Sequence, residues 1–223
     1  MPYIYNSSAS VSAGVSENLQ PIVAPPVNRY TYPWGLDLQG VTGTGNQARH
    51  IATRAILFIP IKIASTITVD RIGLMFYGAN SCVDTWTYDL GLYTHNSTDN
   101  YPSTQIASFG TLTYQPGVTP DAAQQITINQ TLTGNTTYWI AIGINASGNT
   151  DISNGRTPFT AQMQGDFSMF RKRGITGVNS GAMGIAWVHS IGSYAGTLPA
   201  SVTYASNSAS SGLCLRTPLR RSA

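Results

Sequence analysis

Between Arg54 and His95 the chain holds three strand-like runs in succession, and the third limits the possible folds most. From Thr85 to His95, Trp86, Tyr88, Leu90 and Leu92 fall on one face, and Thr85, Thr87, Asp89 and Gly91 on the other. A period of two marks a strand with one buried face and one wet face. In the second run Ile67 and Val69 share a phase, whereas Ile72, Leu74 and Phe76 take the opposite one. The flip near Asp70 and Arg71 requires a bulge or a strand that crosses between sheets. The first run, Ala55 to Ile63, is apolar on both faces as far as Pro60, which has no N–H for a ladder and predicts an edge or a bulge.

Later segments repeat the theme. Ile106 to Tyr114, Gln125 to Leu132 and Thr136 to Asn145 read as strands, with a loop over Asn96 to Ser103 and a hairpin-type turn at Thr133-Gly134-Asn135. Shorter runs follow near Phe159 to Met163, Phe167 to Phe170, Met183 to His189, Val202 to Ala205 and Leu213 to Leu215. No segment has an uncontested helical period. Many short strands divided by turn signals predict an all-β, jelly-roll-like antiparallel β-sandwich with an extended N-terminal arm. The expected divisions are an arm over 1–47, the sandwich over 48–216 and a basic C-terminal tail over 217–223.

The arm is assigned on its prolines (Pro2, Pro21, Pro25, Pro26, Pro33) and on the lack of any sustained period. Tyr3, Tyr5, Tyr30, Tyr32 and Trp34 suit the groove of a neighbouring subunit; the alternative is an arm folded back on its own sandwich. Gly40 to Gly45 lacks the Lys-Ser/Thr of a phosphate loop and reads as a hinge.

Charge is scarce, at 9% of residues against a usual figure of about a quarter. Glu17 is the only Glu, and Lys62 and Lys172 are the only Lys. A surface of Ser, Thr, Asn, Gly and Tyr favours packing against other subunits, because little charge must be desolvated. The net charge of +3 gathers at Arg171-Lys172-Arg173 and at Arg216, Arg220 and Arg221, too little for a nucleic-acid footprint. The Arg171–Arg173 segment is a subunit-contact candidate or a plain solvated loop. The N-terminus has no basic or apolar region of a signal peptide, and no run approaches a membrane span.

No catalytic, cofactor or metal site is expected. The acidic residues sit mainly in turns, where Asp bonds its own backbone, and Asp89 lies on the wet face of its strand. His50, His95 and His189 form no metal-binding spacing, and no Gly-x-Ser-x-Gly elbow exists. Asp99-Asn100 beside His95, with Asp151 and Asn154, could hold calcium, although ordinary polar loops explain them equally. Cys82 and Cys214 leave a disulfide open. Trp139 lies in the opposite phase to Ile140 and Ile142 and is the candidate for stacking on a sugar.

Four stretches together resemble a recurrent sandwich module of tailed-bacteriophage structural proteins. They are Arg54-Ala55-x-x-Phe58-x-Pro60-x-x-Ile63, Ile67-x-Val69-Asp70-Arg71-Ile72-Gly73, Leu90-Gly91-Leu92-Tyr93 and Leu132-x-x-x-Thr136-x-Tyr138-Trp139-Ile140-Ala141. The likeness covers about Arg49 to Asn145; the glycine that usually precedes the Tyr-Trp pair is displaced to Gly134. It implies a non-enzymatic virion component, a tail appendage, fibre, adaptor or head decoration, whose partners are copies of itself or capsid and tail subunits. Carbohydrate-binding modules share the sandwich design, so a receptor-binding module for host surface glycans is the alternative.

Overall fold

A computed structural model describes residues 21–31, 56–77, 85–98, 101–115, 118, 123–146, 159–160, 187–189, 194, 196–202, 208–209 and 219–223. All regular structure among them is β. The strands are β1 (Tyr30–Thr31), β2 (Ile56–Lys62), β3 (Ile67–Tyr77), β4 (Trp86–Asn96), β5 (Tyr101–Tyr114), β6 (Ala123–Leu132), β7 (Thr137–Ala146), β8 (Phe159–Thr160), β9 (Trp187–His189), β10 (Ser208–Ala209) and β11 (Leu219–Arg221).

The strands form two antiparallel sheets. One runs β1-β11-β3-β6, with β8 also beside β3, and the other β10-β9-β2-β7-β4-β5. With β8 to β10 set aside, eight strands remain, and they pair first with last (β1·β11), second with seventh (β2·β7), third with sixth (β3·β6) and fourth with fifth (β4·β5). That nesting is one long hairpin rolled over two sheets, which is a jelly roll. Residues 147–218 are an insertion between the seventh and eighth strands of the roll, and they lend β8 to one sheet and β9 and β10 to the other.

Where the rolled ribbon passes from sheet to sheet, its two chains cross side by side. Asn135 N–H donates to Ile63 O at 2.7 Å, and Gly134 N–H donates to Thr66 Oγ1 at 3.0 Å. A Cβ at position 134 would lie 2.8 Å from Thr66 N, so only glycine lets the corners touch. Asn135 takes the left-handed φ of 59° that Asn tolerates. The Thr133-Gly134-Asn135 turn therefore joins β6 of one sheet to β7 of the other and does not close a hairpin.

The alternation in β4 holds: Trp86, Tyr88, Leu90 and Leu92 are buried. On the same face of the sheet lie Leu57, Ile59 and Ile61 of β2 and Ile140, Ile142 and Ile144 of β7, all buried. The opposing sheet supplies Val69, Ile72, Leu74, Leu132 and Leu219. The phase flip in β3 is a bulge, since the register against β6 shifts between Val69 and Arg71, so both Val69 and Ile72 reach the core. Each such aliphatic side chain contributes about 1.5–3 kcal/mol by leaving water. Pro60 pairs with Trp139. Lys62 O and Ala64 N bond Ile22 on the side of β2 away from β7, so the N–H that Pro60 lacks would also have pointed that way. The β9 pairing stops at Phe58, leaving Pro60 in the gap before Ile22.

The other face of the six-stranded sheet is not wet. Ile56, Phe58, Tyr93 and Trp139 on it are buried, and Tyr194 and residues 196–202 of the insertion lie against this face at Tyr93, Gly91 and Gly143. This strap joins the sheet edge through Gln105 N–H to Ala200 O and Val202 N–H to Ser103 O, then crosses β4 and β7 at two glycines. A Cβ on Gly91 would come within 2.6 Å of Leu198 Cδ1, and one on Gly143 within 2.9 Å of Tyr194 Cε1. Asp89, expected on a wet face, is half-buried and accepts hydrogen bonds from Tyr194 Oη and Thr111 Oγ1. β5 begins at Tyr101, inside the expected loop over Asn96 to Ser103.

Part of the expected arm belongs to the domain. Ile22 is buried and forms a parallel bridge with Ile63, Pro25 is buried, and Tyr30–Thr31 pair with β11. Residues 21–31 thus clasp the second sheet to the first. The expected basic tail likewise holds β11, which sits between β1 and β3.

Candidate contact face

The outer face of the β1-β11-β3-β6 sheet brings together Asp70, Arg71 and Arg220, three of the seven charged side chains among the described residues. Tyr30, Arg220, Arg71 and Thr127 are successive cross-strand partners on β1, β11, β3 and β6, so their side chains share that face in one row. Two guanidiniums opposite each other repel. Asp70, placed beside them by the β3 bulge, relieves this: Arg220 Nε donates to Asp70 Oδ1 at 2.8 Å and Arg220 Nη2 to Asp70 Oδ2 at 2.6 Å. Both side chains of this forked pair are 26% exposed. The bonds from Arg220 hold the Asp70 carboxyl below the usual carboxylate range, and the same bonds raise the Arg220 guanidinium. Arg71 donates one N–H to the Asp70 carbonyl at 2.9 Å; its charge adds to the pull on the Asp70 carboxyl, but among the described residues no carboxylate oxygen lies within ion-pair distance of it.

Tyr30 is 39% exposed, and its hydroxyl donates to Gln125 Oε1 at 2.8 Å. The ring therefore reaches from β1 toward β6. The N-terminal segment leading to it exposes Val23 (85%) and Val27 (45%).

The sequence reading of Trp139 is corrected. Its phase is as read, opposite to Ile140, but Trp139 is fully buried, with His95 and Tyr101 lying against it. Its indole N–H donates to His95 Nδ1 at 3.1 Å, the two rings stack with centroids 6.0 Å apart, and Tyr101 lies 6.4 Å away. Trp139 offers no face to a sugar. Phe58 meets Tyr93 edge-on at 5.1 Å, and Tyr93 Oη donates to Pro199 O, which pins the strap. Burial raises the Tyr93 hydroxyl above the ordinary tyrosine range. Burial also raises Tyr194, and its bond to Asp89 adds to the shift.

Of the contact candidates, Tyr30 is the one the structure describes. Tyr3, Tyr5, Tyr32, Trp34, Arg171, Lys172 and Arg173 lie outside the described residues, as do Cys82, Cys214, Asp99, Asn100, Asp151 and Asn154. Among the described residues no group of three or more His, Cys, Asp or Glu could hold a metal ion. Sequence reasoning did not find the Asp70–Arg220 pair. The two residues are 150 apart, and the only local signal was the phase flip that marks Asp70 as irregular. No protein-family model matches this chain, and no curated protein matches it.

Proposed function

We propose that this chain is a non-enzymatic structural subunit of a phage virion that packs beside other virion subunits as a tail-appendage, fibre, adaptor or head-decoration component. The strand pattern from Arg49 to Asn145 supplies the phage assignment. The observation that carries the packing role is the N-terminal clasp. It anchors Ile22 and Pro25 inward while turning Val23 and Val27 outward, with Arg221 bonded to the Pro25 carbonyl holding the segment in place. Two valines held out on a fixed, proline-rich segment lose little conformational freedom when a neighbour covers them. Val23→Asp with Val27→Asp tests this in a phage that encodes the protein. The isolated variant should melt within about 2 °C of the parent, because exposed substitutions change stability little. Incorporation into particles, read by immunoblot of purified virions, should fall several-fold. Normal incorporation would refute the packing role.

A further inference from the structure

The bond from Tyr30 Oη to Gln125 Oε1 joins the two outermost strands of the β1-β11-β3-β6 sheet. Those strands stand three spacings apart, about 14 Å at about 4.8 Å each. A tyrosine and a glutamine close that distance only when both side chains lie extended along the sheet. The Tyr30 ring is therefore laid across the face, tethered at its hydroxyl, with an open side toward solvent. Gly73, the cross-strand partner of Gln125, has no side chain to lift it.

Around this ring the row is mixed in chemistry. Arg71 uses one of the five N–H groups of a guanidinium and leaves the rest without a carboxylate. Asp70 has acceptor oxygens, and Thr127 on β6 supplies an exposed hydroxyl. A flat aromatic face suits the C–H side of a sugar ring, and donors and acceptors together suit its hydroxyls. The uncommitted arginine suits a planar carboxylate, which it can hold through two parallel bonds. Nucleic acid or an acidic peptide would also be drawn to Arg71, but neither presents beside its anionic group the several ring hydroxyls from which the Asp70 carboxylate can accept.

We propose that this face is a binding platform for a uronic-acid-bearing saccharide, with Tyr30 as the stacking ring, Arg71 as the carboxylate clamp and Asp70 as a hydroxyl acceptor. The inference does not depend on the virion reading, which the incorporation assay tests separately. The experiment is calorimetric titration of the full chain with four probes: oligogalacturonate, dextran, polyglutamate and oligo(dT). Oligogalacturonate should bind saturably and more tightly than the other three. Tyr30→Ala and Arg71→Gln should each weaken it about tenfold, a loss of about 1.4 kcal/mol. Tyr30→Phe, which keeps the ring and frees its tether, should fall between. Circular dichroism melts of the variants check that β1 stays in place, and Arg71→Gln carries the test if Tyr30→Ala unfolds. Failure of oligogalacturonate to bind the wild type would overturn the proposal. So would equal binding of polyglutamate or oligo(dT), since the row would then be a plain basic patch.

Discussion

Gly143→Ala tests whether the insertion is seated on the six-stranded sheet as described. The new methyl group would overlap the phenol of Tyr194, with Cε1 2.9 Å from the Cβ position. β7 is an interior strand held by β2 and β4, so its backbone cannot retreat. Tyr194 must swing out. It is buried, and exposing such a ring costs about 2–3 kcal/mol. Its hydrogen bond to Asp89 is worth about 1 kcal/mol more. The sum, about 3–4 kcal/mol, corresponds to a fall of roughly 6–16 °C in melting temperature for a domain of this size. A double-mutant cycle isolates the contact. In a Tyr194→Ala background, Gly143→Ala should be neutral or stabilise by up to about 1 kcal/mol, because alanine restricts the unfolded chain more than glycine does. Urea unfolding followed by circular dichroism supplies all four free energies. If Gly143→Ala alone melts within about 1 °C of the parent, or costs the same in both backgrounds, Tyr194 does not lie over β7 and the account of the strap is wrong.

Three further outcomes are expected. The raised hydroxyls of Tyr93 and Tyr194 contribute stability that is fully present below the unfolded tyrosine value of about 10 and is lost as pH climbs above it; Tyr194→Phe should flatten that alkaline loss in a pH series of urea midpoints. The lowered Asp70 works in the opposite direction: its contribution is present above the unfolded Asp value of about 4 and disappears as pH falls below it. Asp70→Asn should therefore lower the melting temperature at pH 7 but not at pH 2, and equal effects at both would sink the ion-pair argument. Ile22→Ala should cost about 2–4 kcal/mol, and deletion through residue 31 at least as much, whereas a deletion variant that melts like the full chain would return residues 21–31 to the status of a free arm.

Much of the fold was legible because it rests on local periodicity. Trp86, Tyr88, Leu90 and Leu92 announce a strand and its buried face, and the change of phase between Val69 and Ile72 announces the bulge. The missing N–H of Pro60 announces a place without a ladder partner. What stayed hidden depends on segments far apart in the chain. β1 and β11 are two and three residues long, too short to show any period, and each exists because the other lies beside it. The polar face of β4 reads as wet from Thr87, Asp89 and Gly91, yet a strap 100 residues later covers it, and the glycines that look like open surface are where that strap comes closest. Trp139 shows the same limit. Its phase was readable, but that this phase meant burial was decided by His95 and Tyr101, 44 and 38 residues earlier in the chain, which lie against the indole.

β11 also fixes when the roll can close during synthesis. The edge of β3 that it covers is made 150 residues before Arg220. At roughly 5–20 residues per second, that edge waits about 8–30 s for its partner strand. Meanwhile β3, from Ile67 to Tyr77, offers an open row of peptide groups to any other nascent copy. The bulge between Val69 and Arg71 interrupts this row near its start, and Asp70 and Arg71 place two charges there, so the irregularity that seats Arg220 in the finished domain also protects the unfinished one from pairing with itself.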